Sequence, residues 1–199
     1  MRSIGRGLVG MGVLAMALVA ARPAAAQVKG IELNGFGGLY APTDKEGLEG
    51  TREALRRGST AFGGRLTWWT GKALGIEAIG VFSPARLKVT ANSGSQFVRS
   101  TEVMLGAGKL MFNLTPGSKV LGIAIGGGPA LIHTKETVFD PARSQSDIGG
   151  VAGLSLRLGI GENVALRGDF EDFFYGGDFG RGSKFTQDLV VSAGLSIKL

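Results

Sequence analysis

The chain has no cysteine and a single histidine, His133. The first absence excludes a disulfide framework, a thiolate metal centre and the lipidated cysteine of a bacterial lipoprotein. Basic residues form no run longer than the pair Arg56 and Arg57, and no basic stripe is interleaved with aromatics, so nucleic acid is excluded as a partner. Long apolar stretches are missing as well. Beyond residue 26 no stretch reaches the roughly 18 residues a membrane-spanning helix needs, because charges or glycine-rich turns interrupt each candidate.

The exception is the beginning of the chain. Arg2 and Arg6 precede the apolar run LVGMGVLAMALVAA, and ARPAAAQ comes next with small residues, the three-part pattern of a secretory signal peptide cleaved after Ala26. The expected division is a signal peptide over 1–26, with Leu8 to Ala21 forming an isolated helix in the precursor, and one β-barrel domain over 27–199. Removing Arg2, Arg6 and Arg22 lowers the formal charge from +6 to +3, so much of the basicity belongs to export.

The rest of the chain is marked by alternation and by abundant glycine, of which the whole sequence holds 35 residues. Eight segments alternate between apolar and polar positions: Glu32 to Ala41, Ser59 to Trp69, Gly75 to Phe82, Ser100 to Phe112, Lys119 to Ile132, Ile148 to Ile160, Val164 to Phe174, and Phe185 to Leu199. Period two predicts strands. Long polar connections alternate with tight ones such as TGKA, LTPGS and GEN, which is the layout of an up-and-down barrel. Pro129, inside the fifth segment, cannot donate to a ladder and predicts a bulge.

The two faces of each strand differ in kind. In VALRGDFEDFF, Val164, Leu166, Gly168 and Phe170 oppose Ala165, Arg167, Asp169 and Glu171. Arg65, Glu77, Lys109 and Arg157 likewise oppose leucine, isoleucine or phenylalanine on their own strands. A lysine or arginine facing mid-bilayer costs about 2–4 kcal/mol, so in a membrane barrel the charged face turns inward. An eight-stranded barrel is too narrow for an open channel, and its inward side chains must satisfy one another. Arg65, Glu77, Lys109, Arg157, Arg167, Asp169 and Glu171 are therefore expected to form a luminal ionic network, with Gly122, Ala124, Gly126 and Gly128 leaving room for the arginines. Phe62, Trp68, Phe82, Phe112 and Phe174 fall near segment ends and read as two interfacial girdles.

The signal peptide, ELNGFGGLYAPTD, the AFGGRL strand, GGVAGLSLRL with its GEN turn and the terminal AGLSIKL resemble the bacterial outer-membrane β-barrel domain family, OmpA-like in its transmembrane part. The resemblance spans the mature chain. It implies an all-β fold, an eight-stranded antiparallel up-and-down transmembrane β-barrel with termini in the periplasm and loops outside. It also implies a porin-like location in the outer membrane of a Gram-negative-type bacterium. The implied partners are outer-membrane lipid, lipopolysaccharide and the outer-membrane assembly machinery, with the partner of the loops unidentified. Members usually end in an aromatic residue, whereas this chain ends in Leu199, which keeps the outward phase. No peptidoglycan-binding domain is expected after the last strand.

Catalytic candidates are few. His133 is placed at the start of a long loop also holding Asp140 and Ser144, without a recognisable spacing, and is expected to be a solvated loop histidine. Asp172 falls on the outward phase near the loop end, where a headgroup or divalent ion could reach it. GAGK (Gly106 to Lys109) lacks the first glycine of a phosphate loop, and Leu110 stands where its Ser/Thr belongs. The expected function is thus a non-enzymatic outer-membrane barrel serving envelope integrity or surface interaction, with no metal or cofactor. A soluble lipocalin-like barrel for an apolar ligand and an outer-membrane lipid-modifying enzyme are the alternatives. Mass spectrometry of the exported protein should find Gln27 at its N-terminus; an intact Met1 would remove the signal-peptide assignment.

Overall fold

The computed structural model describes residues 30–43, 45–46, 51–91, 96–118, 120–136, 143–178 and 183–199. The expected signal peptide with its helix, as well as Lys119 and Asp140, lie outside the described residues. Alternation is realised as ten strands: β1 (Gly30–Pro42), β2 (Lys45–Glu46), β3 (Thr51–Arg57), β4 (Ser59–Trp69), β5 (Leu74–Ala91), β6 (Gln96–Asn113), β7 (Leu121–Glu136), β8 (Arg143–Gly159), β9 (Val164–Asp178) and β10 (Ser183–Lys198). Eight of them close a barrel in the cyclic order β1, β4, β5, β6, β7, β8, β9, β10, every neighbouring pair antiparallel. Closure removes the sheet edges that would otherwise offer unpaired backbone groups. The seam is sealed at the very end of the chain, where the Leu199 N–H donates to the Ile31 carbonyl at 2.8 Å.

The end of the barrel at which β1 begins and β10 ends is closed by short connections, and Gly117 holds φ at +95° in the β6–β7 turn, a conformation that glycine adopts without steric cost. The opposite end differs from the expectation of long polar loops. Residues read as a Ser/Asn/Gly-rich linker after Phe82 continue the ladder, Phe82↔Met104 running on to Thr90↔Gln96. The connections from β7 to β8 and from β9 to β10 are also largely strand. Polar residues dominate the β7–β8 extension because neither face has to be apolar there, whereas Ala85, Leu87, Val89 and Ala91 alternate with Arg86, Lys88 and Thr90 in the extension of β5. The first long connection contains β2 and β3, and β3 prolongs β4 through Gly58. The pairing with β5 slips by one residue between Arg57↔Arg86 and Phe62↔Phe82, an extra residue in the β3–β4 strand.

No such slip occurs at Pro129, contrary to expectation. The β6–β7 register is the same at Ala107↔Ala130 and Leu110↔Gly127, and only the two pairings between them are missing. Pro129 lies on the exposed outer face and its missing N–H interrupts the ladder without displacing it.

Sidedness is inverted relative to a soluble barrel. Leu33, Leu66, Ile76, Leu110, Leu154, Leu166, Val191 and Leu195 are all exposed, while Glu32, Arg65, Glu77, Lys109, Arg167 and Asp188, on β1, β4, β5, β6, β9 and β10, are buried. A continuous apolar girth of this kind greatly exceeds the few hundred Å² that soluble monomers expose, so its solvent is lipid. That excludes the lipocalin-like alternative. Replacing Leu154, midway along the outward stretch of β8, by arginine should destabilise the barrel by about 2–4 kcal/mol in urea unfolding from vesicles. A loss below ~0.5 kcal/mol would place that wall in water.

Candidate functional site: charges in the barrel lumen

The lumen is layered. At the level of the short turns, β1 and β4 bring together Glu32 and Trp69, whose Nε1 lies 3.4 Å from Glu32 Oε2. Arg157 Nε stands 3.6 Å from Glu32 Oε1 with its side chain 37% exposed. The sequence reading puts Arg157 in the central network; it is the register partner of Arg167, yet its side chain runs to Glu32 at the mouth while Arg167 takes Glu77 and Asp169.

One layer deeper lie six charges from four strands. Arg65 comes from β4, Glu77 from β5, Lys109 from β6, and Arg167, Asp169 and Glu171 from β9, and every one of these side chains is at most 3% exposed. The period of two sets this arrangement. On β9, positions 167, 169 and 171 share one face, and β9 lies diametrically opposite β5 in the cyclic order, so its charges meet partners across the lumen.

The contacts form a closed cycle of alternating sign. Arg65 Nη2 lies 2.8 Å from Glu171 Oε2. Glu171 Oε1 also takes the Lys109 ammonium. Lys109 Nζ is 2.7 Å from Glu77 Oε1, and Arg167 Nη1 is 2.7 Å from Glu77 Oε2. Arg167 Nη2 reaches Asp169 Oδ1 at 2.8 Å, and Arg65 Nη1 closes the cycle 3.3 Å from Asp169 Oδ2. Three cations and three carboxylates balance, and each group touches two of opposite sign. An isolated ion in such a place would cost several kcal/mol after relaxation; pairing every charge twice is what makes the burial tolerable.

Neutral groups fill the remaining valences. The Arg65 guanidinium donates to Asn34 Oδ1 and to Ser192 Oγ, both at 2.8 Å, and its Cζ stands 3.8 Å from the centre of the Phe36 ring. Arg167 donates to Ser155 Oγ at 2.9 Å, and Thr67 Oγ1 donates to Glu77 Oε2 at 2.6 Å. The Ser155 hydroxyl also donates to Asp169. These neutral partners escape a sequence reading that follows charge; the same alternation places all of them on the inward face. Glycine makes space differently than expected. A Cβ on Gly126 would come within 2.3 Å of Met111 Sδ, and one on Gly63 within 2.6 Å of Phe36 Cζ, so these glycines accommodate Met111 and Phe36. Of the β7 glycines expected to give arginine room, Gly122 alone lies against one, Arg157.

Beyond the charges the lumen is mainly apolar, with Ser83, Thr101, Thr134, Thr186 and Asp188 also buried there. Tyr40, Ala61, Val81, Val103, Leu105, Ile132, Val151, Phe173 and Val190 are buried and pack as one cluster. The luminal ionic network is thus confined to the turn-end half. Near the top of this cluster the Tyr175 hydroxyl donates to Asp188 at 3.0 Å. The cycle can carry charge balance and rigidity; it presents no nucleophile. Among the described residues, no three or more His, Cys, Asp or Glu side chains are grouped to hold a metal.

The five aromatic residues expected in the girdles lie on the outward phase of their strands. Trp68 is exposed near the turn end, where Phe112 is half-buried. Phe62 and Phe82 meet at 5.5 Å between ring centres towards the other end, and Phe174 stacks on Phe185 at 6.4 Å. One row from Phe174, Asp172 is half-buried and accepts a hydrogen bond from Gln187 Nε2 at 3.1 Å.

No protein-family model matches the chain, and no curated protein matches it in sequence. Solved structures do match it in fold. The outer membrane protein OprG from Pseudomonas aeruginosa superposes with a TM-score of 0.65 at 13% identity, over 87% of this chain and 97% of that one. For Neisserial surface protein A (NspA) the values are 0.57 and 10%, over 86% and 97%. The N-terminal β-barrel domain of Pseudomonas aeruginosa OprF gives 0.54 and 11%, over 87% and 100%. The chain thus has the closed eight-stranded architecture of outer-membrane barrels.

Removing one member of the cycle strands two opposite charges. Arg167→Met should cost about 3–5 kcal/mol in vesicle unfolding, whereas Arg157→Met, at the open mouth, should cost less than ~1 kcal/mol. Equal losses would mean that Arg167 does not depend on its buried partners.

Proposed function

We propose that the protein is a closed-walled barrel of the outer membrane of a Gram-negative-type bacterium, inserted by the outer-membrane assembly machinery and surrounded by lipid and lipopolysaccharide. Its role is in envelope integrity and in surface contact through the strands that rise beyond the lipid belt. The observation that carries this reading is the double obstruction of the lumen. The charge cycle spans it at one level, and the cluster around Tyr40, Ile132 and Phe173 fills it at the next. A solute would have to displace both, so the lumen neither conducts nor catalyses. The parts left to act are the outer wall and the extended end.

Reconstituted in a planar bilayer, the folded protein should show no unitary conductance above the bare membrane. Steady open channels would overturn the closed-wall reading. Fractionation with a heat-shift gel tests location separately: the unboiled protein should run as a compact form from the outer-membrane fraction.

A further inference from the structure

The only histidine of the chain is not in a loop. His133 lies in β7 on the outward face, half-buried, with Ser146 as its register partner on β8 and Ser144 two residues further along that strand. Its Nδ1 is 2.8 Å from Ser146 Oγ and its Nε2 is 3.2 Å from Ser144 Oγ. One ring nitrogen is thus held by a hydroxyl while the other faces a second, exposed hydroxyl. This is the geometry of an activated serine: nucleophile on Nε2, orienting group on Nδ1. None of these residues takes part in the luminal cycle or in closing the barrel.

The position points to a substrate. Directly below, Leu131 and Ile148 pair with each other and are 52% and 81% exposed, and Met104, the β6 neighbour of His133, is exposed as well. Directly above, Lys135 pairs with Ser144 on the same face, with Glu102 beyond it. The hydroxyl therefore sits where the apolar wall gives way to the polar rim, the depth at which acyl ester carbonyls of membrane lipids lie.

We propose that Ser144 and His133 form an esterase site on the outer wall, taking acyl esters of membrane lipids. Ser144 Oγ attacks the ester carbonyl carbon as its proton passes to His133 Nε2, while Ser146 Oγ accepts a hydrogen bond from Nδ1–H and fixes the tautomer. The carbon–alkoxy bond breaks, and the alcohol leaves with the proton from Nε2. Water then gives a proton to Nε2 and its hydroxyl to the acyl carbon; the free acid departs and the proton returns to Ser144. Lys135 places a cation beside the developing oxyanion. Ser146 is a positioning residue, and because it is neutral it stabilises the imidazolium less than a carboxylate would. The activity is accordingly slow and suited to esters, not amides. It goes beyond the structural role proposed above and does not rest on it.

The test uses the full chain in phosphatidylglycerol vesicles, with the heat-shifted mobility of every variant as the control for folding. A fluorophosphonate probe should label Ser144, as read by peptide mass spectrometry. Ser144→Ala should abolish labelling and His133→Gln should slow it about 100-fold or more. Ser146→Asp should accelerate it at least about tenfold, an effect that a merely structural serine would not give. Free fatty acid should accumulate in the vesicles faster than p-nitrophenyl butyrate is cleaved. No labelling above that of the unfolded chain, or labelling unchanged in His133→Gln, would overturn the site. Cleavage of the soluble ester alone would overturn the lipid assignment.

Discussion

Three cations and three carboxylates, each in contact with two partners of opposite sign, hold β4, β5, β6 and β9 at fixed distances across the lumen. The outer wall depends on this cycle, because every outward leucine requires its strand to keep one phase. A slip of one residue would turn the buried charges into lipid and the leucines into the lumen, at a cost of several kcal/mol for each charge. Ladder hydrogen bonds are indifferent to such a slip. The charges are not, and they set the register that the ladder then propagates.

The cycle also explains the layering of the interior. Arg65 and Arg167 are long and planar, and each guanidinium needs room and acceptors in a ring of small polar neighbours. Asn34, Thr67, Ser155 and Ser192 supply acceptors, and Phe36 supplies a face. Beyond the cycle, among the described residues, the next buried charge is Asp188, and the space between is filled mainly by Val, Ile, Phe and Tyr.

Much of this is legible in the sequence. Alternation locates all eight barrel strands, and the inward and outward phases of Leu166, Arg167 and their equivalents come from the period of two alone. Three things are not legible, for physical reasons. Where strands rise through the polar rim neither face has to be apolar, so the polar stretch 143–147 carries no alternation to read, although Ala85, Leu87, Val89 and Ala91 do alternate with Arg86, Lys88 and Thr90 in the extension of β5. The course of a long side chain is invisible to a face assignment, so Arg157 pairs with Arg167 in register yet carries its guanidinium to Glu32 at the mouth. Pairing between strands is a matter of register, which is why His133 and Ser146, thirteen residues apart, meet without any motif to announce it.

β9 carries half of the cycle, Arg167, Asp169 and Glu171, while Arg65, Glu77 and Lys109 come from the consecutive barrel strands β4, β5 and β6. Until it joins, Arg65 and Lys109 face only Glu77, and the unfinished sheet holds an uncompensated positive charge on the surface destined to become dry. Arrival of β9 adds two negative charges and one positive in a single step, and the interior becomes neutral as the wall becomes continuous. Curling of the sheet and cancellation of its charge are thereby the same event, so a partly assembled sheet has an electrostatic reason to stay open and wet until its complement arrives.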